Sequence, residues 1–147
     1  MIVQKWVRIA FLNLLVVAFI GVLLRYKIVY SLPFIDQKHL LHGHSHFAFF
    51  GWVSQILMTL IIQTLSDQKK EGLFKKYRWL LYCNLVASYG MLVGFSIQGY
   101  GVYSIGFSTF SIVIFCVFAA YVWKDINAIP QKQICHLWFK AAVIWNI

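Results

Sequence analysis

Four of the five histidines in the chain fall within eight residues, in the stretch His39-Leu-Leu-His42-Gly-His44-Ser-His46. Imidazole is neutral or cationic near pH 7 and is the commonest side-chain metal ligand. On a helix turning 100° per residue, His39, His42 and His46 lie within about 60° of one another and His44 points to the opposite side. His42 and His46 form an i,i+4 pair that sets two imidazoles one above the other. Such a pair can chelate a metal ion, or one ring can ligate a haem iron while another bonds a propionate. Zinc or copper needs further ligands. The four acidic residues, Asp36, Asp67, Glu71 and Asp125, all lie outside the apolar runs and do not supply them. Their scarcity also argues against a paired-carboxylate hydrolase. Cys83, Cys116 and Cys135 show no CxxC spacing and read as apolar packers. A porphyrin brings four nitrogens of its own and asks the protein for one or two axial ligands. Haem iron therefore suits this stretch better than a bare ion, with copper or zinc as the alternative. The residues that follow agree: Phe47, Phe49, Phe50 and Trp52 offer flat apolar surface, and Gly51 permits close approach of a ring or a helix.

The elements that carry these residues are read from composition and run length. The chain has 147 residues, of which 61% are hydrophobic and 12% charged, against roughly 45–50% and about 25% in soluble domains. An ordinary soluble domain, a disordered tail and a collagen-like chain are excluded. Four apolar runs reach the length of about 20 residues that a membrane span needs, at about 6–24, 44–65, 79–98 and 102–123. A fifth opens at Leu137 and reaches Ile147, roughly 16 Å of helix at 1.5 Å per residue, which is short of the about 30 Å of hydrocarbon. The fold expected is all-α: a polytopic transmembrane helical bundle of four full spans and a truncated fifth, as one domain over residues 1–147 that continues in a longer subunit. The first run is too long for a signal peptide and ends in Arg25-Tyr26-Lys27 with no small-residue cleavage pattern, so it reads as a retained span.

The net charge of +9 sits in clusters between the runs, which is how membrane proteins carry charge and not how a nucleic-acid surface does. Ten Lys and Arg fall on one side of the expected membrane: Lys5, Arg8, Lys69, Lys70, Lys75, Lys76, Arg78, Lys124, Lys132 and Lys140. Three fall on the other: Arg25, Lys27 and Lys38. This bias places the N-terminus and the 66–78 connection in the cytoplasm and the histidines at the outer end of the second span. Gly99-Tyr100-Gly101 predicts a tight hairpin between spans three and four. Pro33 ends the first helix, and Asp36 is placed to cap the next. Gly90 and Gly94 form a small-xxx-small pair that permits close helix packing.

The stretch His44-Ser-His46-Phe-Ala-Phe-Phe-Gly51-Trp52, of the form His-x-His-x4-Gly-Trp, resembles the second helix of subunit I in haem-copper oxidases and nitric oxide reductases. The resemblance implies a cytoplasmic N-terminus and a histidine near the outer end of helix two as axial ligand of a low-spin haem b. Carried over by position, His46 is the first choice of ligand, His44 the second and His42 the third, the last because a register that aligns Gly51 with a family glycine places His42 there. Phe49, Gly51 and Trp52 would line the cofactor. The function implied is a haem-b-binding subunit of respiratory electron transfer in the bacterial inner membrane. Its partners would be the lipid bilayer, the remaining helices of the subunit and other respiratory subunits. Any terminal oxidase or nitric oxide reductase activity would need parts that the family carries on later helices. Two other functions are open to the same residues: a histidine-rich metal-binding or transport protein, and a non-catalytic membrane assembly protein. His136 matches no family ligand and reads as an interfacial residue.

Overall fold

A computed structural model describes residues 2–69, 72–129 and 140–141. Among them every regular element is helical: α1 (Ile2–Val29), α2 (Gln37–Phe47), a π-helix (Ala48–Ser54), α3 (Gln55–Lys69), α4 (Phe74–Gln98) and α5 (Val102–Asn127). The chain is an all-α protein. Helices α2 and α3 and the π-helix between them form one rod of 33 residues, so four helical rods are long and apolar enough to cross a membrane. The expected fifth run, with His136 and Cys135 before it, lies outside the described residues except for Lys140 and Ala141.

Each rod is longer than its apolar run. The first begins at Ile2 rather than Trp6, and the second begins at Gln37 rather than His44. Run length marks the part that needs hydrocarbon, whereas a helix continues wherever its terminal groups find partners. Asp36 provides this at the second rod, where its carboxylate accepts the His39 N–H at 2.8 Å. The histidine stretch is consequently helical from its first residue.

The rods pack in sequence, α1 against the second rod, the second rod against α4, and α4 against α5. Asn13, Gln55, Thr59, Asn84, Ser88, Ser104 and Ser111 are buried, while Phe11, Leu15, Phe19, Val86, Val93, Ile105 and Ile112 face outward. Apolar residues outside and polar residues inside suit contact with a lipid bilayer, where the polar groups must find partners within the protein. One end of the bundle is filled by apolar packing of Trp6, Met58, Ile62, Leu65, Tyr77, Leu81, Phe118 and Val122. The hairpin expected at Gly99-Tyr100-Gly101 is present. Gly99 ends α4 at φ +62°, in the region that favours glycine. Its carbonyl accepts the Ser104 hydroxyl at the start of α5.

Candidate functional site

Asp36 and Gly43 position the histidines. The cap starts the helix, and Gly43 lets it lie close on α4: a Cβ there would stand 2.9 Å from Ser96 Oγ and 3.0 Å from the Leu92 carbonyl oxygen. With this contact as the seam, the histidines divide as helical geometry requires. His39, His42 and His46 face the Gly99 end of α4, and His44 faces α1.

Each histidine has its own surroundings. His39 covers the Gly99 turn, where an added Cβ would meet its ring. His42 lies edge-on to Tyr100, with centroids 4.9 Å apart, and tilted to Phe95 at 6.3 Å. His46 stacks flat on Phe95 at 4.4 Å and is parallel to Phe50 at 6.1 Å. His44 points at Gly21 of α1, whose missing side chain gives it room, and its Nδ1 is buried with no hydrogen-bond partner.

His46 opens onto a groove. His46 lines a cavity of about 380 Å³ with Ser45, Phe49, Phe50 and Ser54. Phe49 and His46 thus share one groove. His42, His44, Gly51 and Trp52 do not line this groove. Gly51 serves a neighbouring side chain, since the Phe47 ring occupies the space its Cβ would take. Among the described residues, no three of His, Cys, Asp and Glu gather where they could hold a metal ion.

Beneath the groove the bundle is polar. Asn84 of α4 donates to the Phe50 carbonyl at 2.9 Å and to Gln55 Oε1 at 2.7 Å. Asn13 of α1 donates to the Gly51 carbonyl and accepts the Tyr89 hydroxyl at 2.8 Å. None of Asn13, Asn84, Gln55 and Tyr89 is among the site residues expected from the sequence. Asn13, Gln55 and Asn84 are nevertheless amides within apolar runs, a signal present in the sequence.

A second cluster closes the opposite end. Asp125 accepts Lys69 Nζ at 2.9 Å, Lys76 Nζ at 2.7 Å and the Tyr77 hydroxyl. The sequence placed Asp125 outside the apolar runs. In the structure it is a buried residue in the last turn of α5, tying that helix to α3 and α4. Lys69 and Lys76 stand 56 and 49 residues from it in the chain, so local pattern does not reveal the pairing.

No protein-family model, curated protein or solved structure gives a significant match to the chain.

Proposed function

We propose that the chain binds a haem b with His46 as an axial ligand, within a membrane electron-transfer subunit resembling subunit I of haem-copper oxidases. The observation that carries this is the groove at His46. One imidazole, held in plane by Phe95 and Phe50, meets an aromatic wall and two serines along an open flank. A flat apolar ring that supplies its own equatorial donors fits such a donor set. A zinc or copper ion asks for three or four protein ligands, and no such group is present among the described residues. The bound haem would supply one-electron chemistry, tuned by the ligand and by the burial around it. The chain's part is to hold the ring, fix its plane and exclude water through Phe49 and Phe50.

The open flank also supports the expectation that further helices of the same subunit complete the site, with other respiratory subunits beyond them. The lysine and arginine bias supports an inner-membrane orientation with the N-terminus and the Asp125 end in the cytoplasm and the groove toward the outer face. The test is the visible spectrum of the purified protein. The expected result is a low-spin b-type haem that survives His44→Ala and His42→Ala and is lost in His46→Ala. Retention of haem in His46→Ala overturns the ligand assignment. A colourless protein carrying stoichiometric zinc or copper replaces haem binding with metal binding. A protein with neither, taken from membranes replete in both, removes the cofactor altogether.

A further inference from the structure

We infer that Asn13 and Asn84 are positioning residues: they hold the π-turn that follows His46 and so set which side chains share its groove. The starting point is the exit from that turn. In an α-helix the Gln55 N–H would go to the Gly51 carbonyl, four residues back, and in a π-helix to the Phe50 carbonyl, five back. Here it goes to the Trp52 carbonyl. The Gly51 carbonyl does not receive that donor, at a depth where lipid offers no substitute.

The two carbonyls are served by side chains from opposite flanks. Asn84 of α4 donates to Phe50 and Asn13 of α1 donates to Gly51. Both asparagines are buried, at 0% and 1% exposure, and both amides are held from behind. The second Asn84 N–H is taken by Gln55 Oε1, and Asn13 Oδ1 is taken by the Tyr89 hydroxyl. An asparagine carbonyl accepting a hydroxyl must turn its NH₂ the other way, and here that way is toward Gly51. The amides are thus oriented donors that replace the backbone donor lost at the turn.

The turn matters for the groove because of phase. His46, Phe50 and Ser54 all line it, yet residues eight apart on an α-helix are about 80° out of line at 100° per residue. A π-turn closes on the fifth residue and so advances fewer degrees per residue, which removes the drift. Without the clamp, Ser54 would leave the side of the rod that His46 occupies.

The chain itself provides the probe. It contains a single Phe-Gly pair, Phe50-Gly51, and a single Gly-Trp pair, Gly51-Trp52. Carbonyl-¹³C phenylalanine with ¹⁵N glycine therefore reports the Phe50 carbonyl alone in solid-state NMR of the full chain in lipid. Carbonyl-¹³C glycine with ¹⁵N tryptophan reports Gly51 alone. Asn84→Leu is expected to shift the Phe50 signal and leave Gly51 in place, and Asn13→Leu to do the reverse. A carbonyl that ignores the loss of its own asparagine overturns the clamp, as does an equal response of both to either variant. Should the variants fail to fold, dipolar recoupling between asparagine side-chain ¹⁵N and these carbonyl carbons in the unaltered chain decides it, and absent coupling overturns it.

The effect on the groove rests on the haem reading. In the haem-loaded protein both variants are expected to shift the g-values of the ferric haem while His46 still ligates. Unchanged g-values beside shifted carbonyls overturn the positioning role. A colourless protein removes the haem reading and leaves the carbonyl result standing.

Discussion

Asp36 starts the helix that carries every histidine of the cluster, and it does so with one carboxylate oxygen on the His39 N–H. That hydrogen bond, helped by the positive charge of His39 and of Lys27, holds the carboxyl below its ordinary value of 3.8. A group whose folded pKa is depressed stabilises the fold above its unfolded pKa and loses that contribution as pH falls through the folded value. Protection of the His39 and Leu40 amides against hydrogen exchange should accordingly decline below about pH 3.8. Asp36→Asn still caps but cannot titrate, so it should remove the pH dependence, and an unchanged dependence in that variant would disprove the cap as its source. At the other end, Asp125→Leu strands two ammonium groups and a phenol. It should cost about 1–3 kcal/mol in detergent unfolding, the range for buried polar groups left unpaired. Lys69→Met should cost more than Lys76→Met, because the Lys69 side chain is 16% exposed and that of Lys76 is 40% and exposed pairs are screened. The reverse order would show that burial does not govern the cluster.

At the scale of elements, α4 and α5 approach over Gly90, where an added Cβ would run into the Phe107 ring, while a Cβ at Gly106 on the facing helix meets open space. Gly90→Ala is expected to destabilise the hairpin by about 1–3 kcal/mol, as overpacking does, and Gly106→Ala to leave it unchanged or slightly firmer. Equal effects in unfolding measurements would refute the close approach. Gly90 and Gly94 were legible as a packing pattern before any coordinates, as were the four spans, the Gly99 turn and the Asp36 cap. Each of these rests on residues adjacent in the chain or one helical turn apart. The π-helix was not legible. Ala48 to Ser54 reads as ordinary apolar helix, and what distinguishes it is donated by Asn13 and Asn84 from elsewhere in the sequence. The division of the histidines was legible because 100° per residue decides it. Which of them meets a groove was not, since that depends on where Phe95, Tyr100 and Gly21 stand.

In the whole molecule, the two ends differ in kind. One is closed by apolar packing and by the Asp125 ion cluster. The other carries imidazoles, the Gly99 turn and an open groove. In the proposed orientation, with the N-terminus and the 66–78 connection in the cytoplasm, a membrane-impermeant thiol reagent should label Phe34→Cys and Tyr100→Cys in intact spheroplasts of a chain lacking its native cysteines. Both side chains are exposed, at 80% and 66%. Gly72→Cys should react only after lysis, and labelling of Gly72→Cys from outside would invert the orientation. The π-helix, finally, has a bearing on the gene. A rod that accommodates a surplus residue in one widened turn can give that residue up. Loss of a single codon within 48–54 would let the turn tighten to an α-helix with α2 and α3 still seated. The same loss in the middle of α4 would swing half a span by about 100°. The second rod is therefore a place in this reading frame where one in-frame deletion can be absorbed without scrambling the bundle, and where His46 can acquire a different set of neighbours in one mutational step.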